Sequence, residues 1–187
     1  AVASAERFEK EPDNPFKSTG KDNAFNAGLD AKIGLTNYLT MDLTVNPDFG
    51  QVEADPSEVN LTTYETFFEE KRPFFIEGRN ILSYGLSAGD GDLASNNLFY
   101  SRRIGRRPNY YPDLDEGEYA AVPDFTNIIG AAKVTGKTKN GWSLGVLESL
   151  TAVENAEIAG INEGRTQAVE PLTNYFVASI GKDFNRG

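Results

Sequence analysis

The side chains able to do chemistry gather in one irregular stretch. Asp48, Glu53, Asp55, Glu58, Glu65, Glu69, Glu70 and Glu77 supply carboxylates, and Arg102, Arg103, Arg106 and Arg107 follow as a guanidinium cluster. Two carboxyl groups about 5–10 Å apart hydrolyse a glycosidic bond, one as acid and the other as base or nucleophile. Nothing in this spacing brings two of them together, so a solvated or lumen-facing stretch paired with basic residues is the stronger reading. Four guanidiniums clasp phosphate or carboxylate groups, or form a ladder inside a pore. Arg102 and Arg103 point to opposite faces of a strand, so a shared site needs a backbone turn, which Gly105 permits. The plainer alternative is structural pairing with the acidic stretch.

Lys71-Arg72-Pro73-Phe74-Phe75 sets two cations beside two aromatics. Pro73 holds the chain extended there, and the segment reads as an anchor against a wall rather than a cation–π ligand site. The candidate ligand-binding or luminal-charge residues are therefore Asp48, Glu53, Asp55, Glu69, Glu70, Lys71, Arg72, Arg102, Arg103, Arg106 and Arg107. Asp90-Gly91-Asp92 lacks the spaced ligands and closing Glu of a calcium loop and reads as a surface turn.

The residue types that are missing narrow the chemistry. The 187 residues include no Cys and no His, which removes disulfides, thiolate and imidazole metal sites and Ser-His-Asp catalysis. A net charge of −10 argues against a nucleic-acid partner. No cofactor and no metal are expected, and the reading leans away from an enzyme. Ala1–Lys10 is mixed and charged, without the apolar core of a signal peptide, so none is expected within these residues: either one was removed upstream or the residues are an internal piece of something larger.

The elements that must position this stretch read as strands. Phe25, Leu29, Ala31 and Ile33 share one parity in 24–33, and Leu39, Met41, Leu43 and Val45 alternate with Thr40, Asp42 and Thr44. Period-two alternation puts apolar groups on one sheet face and polar groups on the other. The pattern resumes in 127–136, turns at Asn140-Gly141, and continues in 142–153, where Trp142, Leu144, Val146, Leu150 and Ala152 share a face with Glu148. A last strand, 172–184, lines up Phe176, Ala178, Ile180 and Phe184. Residues 1–22 read as a lead-in, 46–122 as an irregular insert, 154–170 as a loop, and within the insert 60–68 as a strand or 62–70 as a short helix.

The fold class is all-β: an antiparallel meander of long amphipathic strands with one long insert. Short turns follow the first and third strands, and long polar segments follow the second and fourth. That is the layout of an outer-membrane β-barrel, although a soluble sheet with one wet face shares the periodicity. Five or six strands cannot close a barrel, so 23–187 reads as the N-terminal portion of one. Tyr38, Trp142 and Tyr175 stand at strand starts, where an interfacial aromatic girdle would lie.

Long strings carry a family resemblance: Gly28-Leu29-Asp30-Ala31-Lys32, 42–56 (DLTVNPDFGQVEADP), 59–62 (VNLT), 65–78 (ETFFEEKRPFFIEG) and 99–106 (FYSRRIGR). They resemble a family of large Bacteroidota envelope proteins of unknown function, in which a family 9 carbohydrate-binding module precedes a long β-barrel-like domain. The resemblance implies the cell outer membrane as location. It also implies outer-membrane lipid and the rest of a parent barrel chain as partners, and a glycan as possible ligand. The expected role is surface binding, uptake, transport or processing of that ligand. A soluble β-rich carbohydrate-associated module and a carboxylate-dependent glycan hydrolase are the alternatives.

Overall fold

A computed structural model describes residues 2–47, 68–84, 97–160 and 164–184. Among the described residues, ten strands and almost no helix make the fold all-β. In chain order they are β1 (Val2–Arg7), β2 (Lys21–Asn26), β3 (Leu29–Gly34), β4 (Leu39–Val45), β5 (Tyr119–Ala121), β6 (Ile128–Lys137), β7 (Trp142–Thr151), β8 (Glu154–Ala159), β9 (Arg165–Glu170) and β10 (Thr173–Lys182). One helical turn, α1 (Pro73–Ile76), and a 3-10 turn over Ser101–Arg103 lie between β4 and β5.

The main sheet has the order β10-β7-β6-β4-β3, and every neighbouring pair is antiparallel. Apart from the excursions between β4 and β6 and between β7 and β10, it is a meander. Tight turns close the end where β3 meets β4 and β6 meets β7. Both long connections leave from the opposite end, as the sequence pattern anticipates.

The register places Leu29, Ala31 and Ile33 opposite Val45, Leu43 and Met41, then carries that face through Ala132 and Val134 to Leu144, Val146 and Leu150, and on to Phe176, Ala178 and Ile180. This face is apolar and uncovered among the described residues: Leu29 is 70% exposed, Phe176 63% and Ile180 74%. Its interruption by Glu148 persists, with that carboxylate accepting from Asn174 Nδ2 at 3.1 Å.

The opposite face is covered. Phe75, Leu82 and Ile104 from the insert pack with Ile128, Ala131 and Leu147 of β6 and β7, flanked by Phe74, Phe99, Tyr175 and Val177. Each such apolar side chain contributes roughly 1.5–3 kcal/mol of burial, so the insert is held on this face mainly by hydrophobic packing. Tyr175, expected in an aromatic girdle, belongs to this inner face, and its hydroxyl donates to the Arg103 carbonyl at 3.3 Å.

Several boundaries differ from the sequence pattern. The strand expected over 24–33 is two strands. At Gly28 a Cβ would stand 2.1 Å from the Asn46 carbonyl oxygen, and the Asn46 amide, at φ +44°, donates to Asn26 Oδ1 and the Ala27 carbonyl at 2.7 and 2.8 Å. That close approach breaks the alternation, and Phe25 falls outside the main sheet in β2. The lead-in contains β1, which pairs with β2 in a separate hairpin.

The stretch expected to be a loop over 154–170 contains β8 and β9, which join β5 in a three-stranded sheet. Ala156 and Ile158 are buried there while Asn155 and Glu157 are exposed, a period-two pattern only a few residues long. Pro73 begins a helical turn rather than an extended one. Arg72 before it is extended, and Pro at the first helical position loses no hydrogen bond. The strand expected over 60–68 lies outside the described residues except for Phe68, and of the alternative helix over 62–70 only Phe68, Glu69 and Glu70 are described and are not helical; the Asp90-Gly91-Asp92 turn also lies outside the described residues.

Candidate functional site

Residues 68–84 and 97–107 form a compact plate over the inner face, and the candidate site lies at their junction with it. At its centre Arg72 forms a fork with Glu70. Nε donates to Oε1 and Nη2 to Oε2, both at 2.7 Å, and the Arg72 backbone N–H adds a bond to Oε1 at 3.0 Å. The remaining guanidinium donors reach the Ile104 carbonyl at 2.6 Å and the Ser101 carbonyl at 2.8 Å, while the Ser101 hydroxyl donates to Glu70 Oε2 at 2.5 Å. The guanidinium also lies 4.3 Å from the centre of the Phe75 ring.

This pair ties the two halves of the insert together across about thirty residues of sequence. Burial pushes the Glu70 carboxyl up, but the Arg72 and Ser101 donors outweigh it and hold the group below its ordinary value. Both partners are almost fully buried, and both Glu70 oxygens and all three guanidinium nitrogens of Arg72 are hydrogen-bonded.

A second cluster attaches the plate to the sheet. Lys133 on β6, 1% exposed, donates to the Phe74 carbonyl and to the Glu77 carbonyl, the latter at 2.6 Å. Its ammonium lies 3.4 Å from Asp42 Oδ2 and 4.8 Å from the centre of the Phe74 ring. Lys32 on β3 approaches Asp42 Oδ1 at 3.7 Å and pairs with the Glu77 carboxylate. The α1 turn thus ends on a buried ammonium, a favourable partner for carbonyls at a helix C-terminus.

A cavity of about 310 Å³ lies beside the first cluster. Phe68, Phe75, Phe99 and Leu147 give it apolar walls, and Glu69, Arg79, Asn97 and Tyr100 supply polar groups.

The arginines do not converge. Ser101–Arg103 form the 3-10 turn, with Arg103 6.0 Å from the centre of the Tyr100 ring, and burial pushes the Arg102 guanidinium down. The turn anticipated at Gly105 is present, at φ +81°. Beyond it Arg106 lies 3.6 Å from the buried Glu170 and bonds to Asn109, and Arg107 pairs at the surface with Asp124. Both thus pair with acids later in the chain rather than with the acidic stretch. Glu69 and Lys71 are exposed on either side of Glu70. Asp48, Glu53 and Asp55 lie outside the described residues.

Sequence reasoning missed Lys133 and Asp42. The available signal was a Lys and an Asp on the polar parity of neighbouring strands, which becomes a pair only in the β4–β6 register that opposes them. Among the described residues no cluster of carboxylates is arranged to hold a metal ion. No described helix is long and apolar enough to cross a membrane, which leaves membrane-spanning strands untouched as a question.

A family model described as a domain of unknown function (DUF5916) matches residues 9–187. The chain belongs to that family. No curated protein and no solved structure matches it. In this DUF5916 chain the match runs from before β2 to beyond β10 and so spans both the main sheet and the insert.

Proposed function

We propose that the main sheet is part of the wall of an outer-membrane β-barrel and that the insert occupies its lumen, where it controls binding or passage of a ligand. The observation that carries this reading is the inversion of the sheet. Among the described residues its continuous apolar face is uncovered, while its charged and hydroxyl-bearing face is buried under the insert. A soluble sheet turns its apolar face inward, whereas a barrel wall turns it to lipid and keeps polar groups for the lumen.

Strand length agrees with this. Ten residues in β6 and in β7, tilted about 45°, rise about 24 Å, close to the apolar band of an outer membrane. Closure would need further strands beside β3 and β10.

The glycan part of the proposal, and the placement among Bacteroidota envelope proteins with a carbohydrate-binding module, rest on the resemblance described above. A hydrolase centred on Glu70 gains no support. Its carboxyl is held ionised and both oxygens are engaged by Arg72, leaving no group poised to donate a proton.

Trp142 is the single tryptophan of this sequence and stands at one end of the apolar face. The full-length protein, with tryptophans elsewhere replaced, is reconstituted in vesicles whose acyl chains carry bromine. Strong quenching of Trp142 is the expected result. A folded protein with unquenched Trp142 would sink the barrel reading and favour a soluble module whose apolar face packs on another domain.

A further inference from the structure

The end of the sheet closed by tight turns carries a second pattern. Lys139 Nζ lies 5.5 Å from the centre of the Tyr38 ring, and Lys182 Nζ lies 4.6 Å from that of Trp142. Lys137 pairs with Asp183 beside them. Neither Lys139 nor Lys182 has a carboxylate partner among the described residues.

Backbone hydrogen bonds tie the frame that holds them. Gly141, at φ +78°, donates to the Thr138 carbonyl at 3.0 Å, Thr138 donates to the Trp142 carbonyl at 2.7 Å, and Asp183 donates to the Gly141 carbonyl at 2.9 Å. Lys139, Asn140, Gly141 and Asp183 line a shallow depression between the β6–β7 turn and the end of β10.

The chain as a whole carries a net charge of −10. A local excess of lysine in so acidic a protein, set at the edge of an apolar face and pinned to aromatic rings, matches the boundary between acyl chains and headgroups. Aromatic rings settle at that depth, and lysines reach from it to phosphate.

We infer that the tight-turn rim is a binding site for the phosphate of anionic phospholipid headgroups, with Lys139 and Lys182 as its ligands and Tyr38 and Trp142 as its floor. The inference rests on the barrel reading. The rim would select anionic lipid and so fix the depth of the wall.

The test uses the full-length protein, with Trp142 as sole tryptophan, in vesicles of equal phosphatidylcholine and phosphatidylglycerol. In one preparation only the phosphatidylcholine chains carry bromine, and in the other only the phosphatidylglycerol chains. The expected result is quenching that reports about fivefold enrichment of phosphatidylglycerol at Trp142, the scale set by a single lysine at an anionic surface. The K139Q/K182Q variant should remove the preference, and K139R/K182R should retain it.

Equal quenching by the two lipids in the unaltered protein would overturn the inference while leaving the barrel reading intact. Absence of quenching by either would overturn both. Loss of the preference on adding excess inorganic phosphate would assign the site to free phosphate and overturn the lipid assignment.

Discussion

The two faces of the main sheet are built from the same strands and obey opposite rules. On one, Leu29, Val45, Phe176 and Ile180 stand uncovered among the described residues, and the charges within the strand pairs are Glu148 and, at the tight-turn end, Lys182. On the other, Asp42, Thr44, Lys133, Thr135, Ser149 and Thr151 are buried beneath the insert, next to the apolar cluster around Leu147. Hydrophobicity alone would bury the first face and expose the second. The difference shows that the insert does not simply cover the greasiest surface. It reaches the polar face by bringing matched charges, Glu77 to Lys32 and its own carbonyls to Lys133, together with Phe75, Leu82 and Ile104 for the apolar half.

The sharpest way to break the buried side of this comparison is to orphan a charge. Replacing Arg72 with Ala strands Glu70 in the plate and removes the donors to Ile104 and Ser101. Loss of about 3–5 kcal/mol is expected in equilibrium unfolding, the scale for one partner removed from a buried ion pair.

The same pair sets a pH dependence. The folded-state pKa of Glu70 lies below its unfolded value of 4.5, so its stabilisation is complete above that value. It is lost as the pH falls through the folded-state value. Glu70→Gln should flatten stability against pH in that acidic window, and an unchanged acid limb would show that other carboxylates govern it.

The uncovered face is tested by adding a charge. Ala178 lies exposed on β10 opposite Val146. Ala178→Arg should cost about 2–4 kcal/mol where that face meets lipid. A change within about 0.5 kcal/mol, measured by unfolding from vesicles, would mean that water covers it instead.

A smaller contrast separates the two lysines of the inner face. Lys133→Met removes a buried donor to two carbonyls and should cost about 1.5–3 kcal/mol, the range for hydrogen bonds from charged groups. Lys32 is more than half exposed, and Lys32→Gln should cost no more than about 1 kcal/mol. Equal losses would place the attachment of the insert in the surface pair.

Periodicity made the strands of the main sheet legible. Alternation in 38–45, 127–136, 142–153 and 172–184 appears as β4, β6, β7 and β10 within a few residues, because a half-covered strand leaves a two-residue signature whichever face is covered. The β8–β9 hairpin was hidden because its alternation is short and Glu154 and Glu170 end it with charges that look exposed. Both are buried, accepting from Asn127 and Asn109 at 2.7 Å. The break at Gly28 was equally hidden, since its cause, Asn46, lies 18 residues further on.

The sequence by itself determined an all-β meander, its alternating faces, the tight turns at one end and the absence of histidine and cysteine chemistry. These are local consequences of residue type and a two-residue period. Only the tertiary structure decided which face is covered, that Arg72 closes on Glu70, that Lys133 holds α1, and that Arg106 and Arg107 disperse to Glu170 and Asp124. Such pairings depend on strand register and on where the insert lies, and composition near an arginine does not indicate which distant carboxylate the fold will bring to it.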